Sequence, residues 1–239
     1  MALSTNKSIL YTAGSMKIEN TTYSVAYWDG NVWTPLPNIT IPPSQYSITG
    51  FIINGSSWYI STFSDPPTNT SFAVVNGGNS VEYLPFDLTI NAITLYNDTI
   101  WIASTNGTYS WNGTSLQLVI PVFDIFGAVA AYEGYIYCTG STFLYKINAA
   151  NYSDYETIAN YSETAFPASN FLNGIVPAIV FVNNSIYLGG FFETIDSSCV
   201  PYLAVFGKNN IFKIIDFLIL FLVSKKRYRA QNLQCALLK

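Results

Sequence analysis

The chain is 239 residues long, half of them hydrophobic and 16% aromatic, which is enough apolar material for one large all-β domain or two small ones. Charged residues make up 10%, against ~25% in an average soluble domain, and the net charge is −4. There is no histidine, and both arginines (Arg227, Arg229) stand near the end of the sequence. A basic nucleic-acid face, a Ser-His-Asp or Cys-His nucleophile pair and a histidine-ligated metal are therefore excluded.

In chain order, the stretch Ser8–Pro37 predicts three short strands, at Ile9–Ala13, Tyr23–Trp28 and Val32–Leu36. Asp29-Gly30-Asn31 turns the chain between the last two, because Gly takes positive φ without steric cost. The unit then repeats. Apolar strands that follow a turn recur at Ile9-Leu10-Tyr11, Trp58-Tyr59-Ile60, Ile100-Trp101-Ile102, Tyr135-Ile136-Tyr137 and Ile186-Tyr187-Leu188. A further strand precedes the last four, at Ile48–Ile53, Ile90–Tyr96, Phe126–Tyr132 and Ala178–Val182, and the first copy is expected to lack one. Each copy also runs on into a strand and a turn, as at Val74–Gly78, Tyr109–Gly113 and Leu203–Gly207. After Leu144–Asn148 the link is longer and without clear pattern.

The copies are spaced 36 to 50 residues apart, close to the ~40–50-residue period of four-stranded propeller blades. A lone meander leaves both faces wet, whereas sheets stacked around an axis cover each other and expose short edges. The predicted fold is thus all-β, a β-propeller of about five four-stranded blades at roughly 8–43, 44–86, 87–121, 122–170 and 171–216, followed by a basic tail at 224–239. A β-sandwich also yields many short strands, but not the same Gly and Trp placement once per unit.

Gly189-Gly190-Phe191-Phe192, a polar loop, and then Pro201–Phe206 resemble the signature of kelch-like propellers, with the fungal cortical polarity-marker type the most similar. Thr12-Ala13-Gly14 with Val25–Trp33 resembles the strand and Trp-Asp-Gly hairpin of the same family, and Trp111-Asn112-Gly113 matches in part. Val75-Asn76-Gly77 lacks the Trp, and Ile147-Asn148-Ala149 lacks both Trp and Gly. The resemblance implies a propeller displayed outside the cell or on its surface, and no particular chemistry.

The end of the sequence changes character. Phe217–Val223 is uninterrupted and apolar, and Lys225–Arg229 is basic. Three readings stay open: the preferred one, a strand that completes blade one by pairing the chain's two ends; membrane association through 211–229 with the basic cluster as its flank; or an atypical read-through tail. A full span needs about 20 apolar residues, and Asp216 interrupts the longer run.

Eleven Asn-X-Ser/Thr sequons occur, at Asn6, Asn20, Asn38, Asn54, Asn69, Asn97, Asn106, Asn112, Asn151, Asn160 and Asn183. An Asn-rich chain makes some by chance, yet many coincide with expected turns, where glycans would supply the solubility that charge does not. No secretory signal is visible in Met1–Ser8. Three cysteines permit one bridge, Cys138–Cys199, or act as small buried hydrophobes, and Cys235 stands apart.

No metal or cofactor motif is present. The surviving catalytic option is a carboxylate pair, as in an acid-acting glycoside hydrolase, drawn from Asp87, Asp124, Glu133, Glu193 and Asp196. Sparse acids on loops are more often solvated or cap turns. The tryptophans (Trp28, Trp33, Trp58, Trp101, Trp111) recur at matched strand positions and are expected to fill the wedges between blades. Tyr152, Tyr155 and Tyr161 are the binding candidates, on rim loops, since Tyr offers a ring face and a hydroxyl. The expected function is a non-catalytic extracellular or surface-exposed binding module for a protein or glycan ligand. The alternatives are the glycosidase and a structural surface or virion glycoprotein.

Overall fold

In a computed structural model of the chain, the described residues are 2–6, 9–18, 20–36, 47–63, 72–77, 80–121, 127–140, 142–162, 178–190, 194–195, 198–199, 203–206 and 212–213. Every element among them is a strand. Blade one is β1 (Ala2–Asn6), β2 (Ile9–Ile18), β3 (Thr21–Trp28) and β4 (Trp33–Pro35). Blade two is β5 (Ser47–Asn54), β6 (Ser57–Phe63), β7 (Phe72–Asn76) and β8 (Ser80–Leu84). Blade three is β9 (Ile90–Tyr96), β10 (Thr99–Ser104), β11 (Gly107–Trp111) and β12 (Leu116–Ile120). Blade four is β13 (Ala128–Tyr132), β14 (Tyr135–Thr139), β15 (Phe143–Asn148) and β16 (Tyr155–Ser162). Blade five opens with β17 (Ala178–Val182) and β18 (Ser185–Gly189). It then throws out a short hairpin, β19 (Thr194–Ile195) and β20 (Ser198–Cys199), and resumes with β21 (Leu203–Phe206) and β22 (Phe212–Lys213).

Each blade is an antiparallel meander, and β1, β5, β9, β13 and β17 pack successively against one another as the inner strands of a five-bladed propeller. Strand alternation explains how both faces of a sheet are covered. On β10, Ile100 and Ile102 join Phe72, Val74 and Trp111 in a cluster between blades two and three, while Trp101 and Ala103 join Val129, Ile136 and Cys138 between blades three and four. Ala13 and Val25 meet Phe51 and Ile60 between blades one and two. Tyr137 and Leu144 meet Leu188 and Ala204 between blades four and five.

The meander also sorts the connections. Turns between first and second strands, and between third and fourth, share one end of the propeller, here the turn rim. Connections from second to third strand, and from one blade to the next, share the other, the loop rim.

Several expectations need correcting. Blade one does not lack an inner strand: β1 supplies it, pairing with β2 from Ala2↔Ala13 to Asn6↔Ile9. Ala2–Asn6 carries one large apolar residue, Leu3, so no periodicity marks it. The place assigned to Phe217–Val223 is therefore taken, and those residues, like most of 211–229, lie outside the described set. The unpatterned link after Asn148 contains β16, whose ladder to β15 shifts register between Leu144 and Tyr145; that bulge breaks the period-two pattern. Blade four keeps the expected four-stranded meander, and its sheet is extended. The β19–β20 hairpin of blade five pairs onto its outer edge at Tyr161↔Ile195 and Ser162↔Thr194, giving six.

Cys138 is a free, fully buried thiol, not bridged to Cys199. It faces blade three, whereas Cys199 belongs to the hairpin beyond β16. Desolvation pushes its pKa up to about 12, and the Thr108 hydroxyl works weakly against that. Thr108 Oγ1 has no partner meeting ordinary hydrogen-bond geometry. Among the described residues no helix is long and apolar enough to cross a membrane.

Candidate functional site

The turns between first and second strands on the turn rim are tight two-residue hairpins. Asn97-Asp98, Glu133-Gly134 and Asn183-Asn184 take positive φ at both central positions (47° and 58°, 45° and 85°, 47° and 62°), the geometry that matches strand twist. Neighbouring hairpins touch around the axis. Asn54 Nδ2, at the end of β5, donates to Asp98 Oδ1 at 3.2 Å. The Tyr132 hydroxyl, at the end of β13, donates to Asn184 Oδ1, and desolvation raises the Tyr132 pKa. Farther out, Asp29 Oδ1 accepts from the N–H groups of Asn31 (2.8 Å) and Val32 (3.0 Å), and these bonds, that to Val32 first, hold its pKa below the ordinary value.

That hairpin corrects one expectation about tryptophan. Trp101 and Trp111 are buried between blades, and Trp58 packs against the cluster between blades one and two. Trp28 and Trp33 instead lie against each other at 5.5 Å, with Trp33 and Val32 exposed at the tip. The Asp-Gly turn between them was the signal: a residue paired beside a two-stranded tip has no neighbouring blade to enter.

The loop rim carries the longer connections, following β4, β6, β12, β16 and β18. The link Pro85–Thr89 shows how one is held. Phe86 and Leu88 are buried, Phe86 stacking on Phe72 at 5.3 Å, and Asp87 between them is exposed. Thr105 N–H donates to Thr89 O at 3.2 Å, tying this link to the adjacent turn.

Of the acids, Asp87 is on the loop rim and Glu133 on the turn rim, at opposite ends of the blades. Such a separation is about a strand's length, roughly 17–20 Å, whereas glycosidase carboxylates stand about 5–9.5 Å apart. Asp124, Glu193 and Asp196 lie outside the described residues. Among the described residues no group of three or more Cys, Asp or Glu is placed to hold a metal.

The three tyrosines do not converge. Tyr152 is half-buried, its ring edge-on to Trp101 at 5.0 Å. Tyr155 is 46% exposed where β16 leaves the turn rim. Tyr161 is on β16 toward the loop rim, paired through its backbone with Ile195. Six residues of strand separate the last two, about 20 Å. Tyr155 and Tyr161 thus belong to a strand rather than a loop. A feature with no single-residue signal in the sequence is the Lys146–Glu156 ion pair (2.8 Å), whose ammonium also sits 4.2 Å from the centre of the Tyr135 ring. The bond to Glu156 raises the Lys146 pKa.

The sequon asparagines divide by rim. Asn54, Asn97, Asn112, Asn151 and Asn183 are at the turn rim, Asn20 and Asn106 at the loop rim. Asn160 is within β16 and Asn6 ends β1, while Asn38 and Asn69 lie outside the described residues.

No protein-family model and no curated protein matches the sequence. Solved structures do match the fold. The extracellular domain of a hybrid two-component system from B. thetaiotaomicron aligns over 89% of this chain and 27% of its own, with a TM-score of 0.58 and 14% identity. Virginiamycin B lyase from Staphylococcus aureus, in a catalytically inactive form with quinupristin, aligns over 89% of this chain and 68% of its own (TM-score 0.56, 9% identity). The computationally designed protein Ika8 aligns over 86% and 57% (TM-score 0.53, 11% identity). At these identities the likeness shows the propeller fold alone, and this chain spans less than a third of the two-component-system domain.

Proposed function

We propose that this propeller is a non-catalytic, extracellular or surface-exposed binding module whose ligand face is the loop rim. The observation that carries the reading is the unequal length of the connections: those of the turn rim run from two to six residues, whereas those after β4, β6, β12 and β16 on the loop rim run from seven to 15, beside short turns at 19–20 and 105–106. Binding residues sit disproportionately on loops presented by a rigid scaffold. The kelch-like Gly-Gly-Phe-Phe and Trp-Asp-Gly segments support surface display by analogy, as does the extracellular setting of one structural neighbour. The lyase neighbour does not favour catalysis here: the form solved carries a histidine-to-alanine replacement and is inactive, and this chain has no histidine at all.

A glycan array read for both retention and released reducing ends tests the proposal. Retention without release is expected. Release of sugar replaces this reading with the glycosidase, and then Asp124, Glu193 and Asp196 are the acids to substitute. Neither retention nor release on glycans, together with no binding to extracellular protein extracts, favours the structural glycoprotein.

A further inference from the structure

We propose that, among the described sequons, Asn112 and Asn151 are the acceptor sites for N-linked oligosaccharide on the folded protein, placing glycans at the outer corners of blades three and four on the turn rim. The natural occurrence of the modification rests on the extracellular reading above; the choice of residues rests on the structure.

The two sites occupy equivalent positions, in the turn between third and fourth strands of adjacent blades. Asn112–Thr114 and Asn151–Ser153 are the two described sequons that lie wholly outside strands. A transferase has to draw the tripeptide into its own groove. Residues in a ladder cannot follow without breaking a run of backbone hydrogen bonds, whereas these turns hold isolated ones, Asn112 N–H to Ser115 O (3.4 Å), Asn151 N–H to Asn148 O (3.1 Å) and Asp154 N–H to Asn151 O (2.9 Å). Asn112, Thr114, Asn151 and Ser153 are all exposed. In each site the asparagine oxygen is tied to the backbone of the sequon's own third residue: Asn112 Oδ1 accepts from Thr114 N at 3.0 Å and Asn151 Oδ1 from Ser153 N at 3.3 Å. Asn112 Oδ1 also accepts from Thr114 Oγ1 at 2.9 Å and Ser115 N at 2.9 Å. Among the described residues neither Nδ2 has a hydrogen-bond partner, and both asparagines are exposed, so the reacting nitrogen is held at the surface.

The other described sequons differ in kind. Asn54 spends its Nδ2 on Asp98. Thr108, the hydroxyl residue of the Asn106 sequon, is fully buried. Thr22, Thr99 and Ser185 are fixed in β3, β10 and β18, and Asn160 in β16.

The step is a group transfer from a lipid-diphosphate-linked oligosaccharide. Nδ2 attacks the anomeric carbon of the first sugar and a C–N bond forms. The C–O bond to the diphosphate breaks, the lipid diphosphate leaves with the electron pair, and Nδ2 gives up one proton to the transferase. No oxidation is involved.

The experiment uses the folded, unglycosylated full chain, incubated with a purified oligosaccharyltransferase and a lipid-diphosphate-linked oligosaccharide and read by intact mass and glycopeptide mapping. Among the described sequons, glycopeptides bearing the increment are expected at Asn112 and Asn151 and at no other. Thr114→Ala and Ser153→Ala each remove one increment, while the backbone donor to the asparagine oxygen is retained; a thermal melt confirms that each variant is folded. Modification of Asn54, Asn106 or Asn160 ahead of these two overturns the proposal, as does a folded chain left bare at both. If the folded chain accepts at Asn112 and Asn151 in the tube while protein from its natural source carries none, the site assignment stands and the extracellular reading fails.

Discussion

Asn54, the last residue of the inner strand of blade two, donates to Asp98, the second residue of the hairpin turn in blade three. The same relation recurs two blades on, where Tyr132 at the end of β13 donates to Asn184 in the turn of blade five. Between them, Tyr96 ends β9 and its hydroxyl faces Gly134, where an added Cβ would lie 3.9 Å away. Polar groups thus link the hairpins of blades two and three and of blades four and five, while Tyr96 lies beside the turn of blade four. Tyr132→Phe keeps the ring stacked on Phe181 (4.6 Å, 4°) and removes the donor. A small fall in the denaturant midpoint is expected, since one hydrogen bond is lost and the ring packing is kept. The effect should shrink when the same change is made in Asn184→Ala.

Two glycines make opposite predictions about rescue. A Cβ at Gly50 would collide with Ile93 Cγ1 and stand 2.7 Å from Ser61 Oγ, where blade two approaches blade three. Gly50→Ala should cost about 1–3 kcal/mol by overpacking, and Ile93→Ala in the same chain should recover part of it. At Gly107 the collision is with the Ile120 carbonyl, and φ is +137°. No side-chain truncation relieves a backbone clash at a φ unsuited to L-residues. Gly107→Ala should therefore destabilise more, and resist second-site repair.

Tyr152 and Tyr155 should separate in the same assay. Tyr152 braces Trp101, which is 1% exposed and whose indole Nε1 has no hydrogen-bond partner. Tyr152→Ala is expected to lose about 1–3 kcal/mol, whereas Tyr155→Ala at the exposed strand end should stay within about 0.5 kcal/mol. A double-mutant cycle between Trp101→Leu and Tyr152→Leu should return about 0.5–1.5 kcal/mol for the ring pair. Equal losses at Tyr152 and Tyr155 would contradict the packing described.

Stability should be nearly flat from the weakly acidic range to pH 9 and fall beyond it. The Cys138 pKa is raised from 9.0 to about 12 by burial. Above 9.0 the unfolded chain loses this proton and the folded chain does not, so the contribution is full below 9.0 and is lost between 9.0 and about 12. Tyr137 and Tyr109, raised by desolvation, and Lys146, raised by its bond to Glu156, act in the same direction above 10.0 and 10.5. On the acid side Asp29 is lowered from 3.8, so its contribution is present above 3.8 and disappears as pH falls through the lower folded value. Urea midpoints across pH test this. With Cys199 and Cys235 replaced by Ser, Cys138 should also resist alkylation until the chain unfolds.

Strands whose two faces both meet neighbouring blades were legible because their turns are: Asn54-Gly55, Asn97-Asp98, Glu133-Gly134 and Asn183-Asn184 punctuate apolar runs, and β6, β10, β14 and β18 follow them. β1 and β16 were not legible, the first because Ala-Leu-Ser-Thr-Asn has no period, the second because its bulge displaces Ile158 from the alternation. The rims were hidden for a different reason. Asn54 and Asp98 lie 44 residues apart, and nothing local to either distinguishes it. Asn112 and Asn106 likewise read alike as tripeptides, and the order of strands alone sends them to opposite ends of the molecule.

The hairpin that blade five lays along β16 binds two blades by main-chain bonds, where the other described neighbours meet through side chains. Side-chain contacts let go one at a time, but a shared ladder parts as a unit. In hydrogen exchange or under mechanical load, the second half of the molecule should behave as one foldon, while the first three blades open by smaller steps.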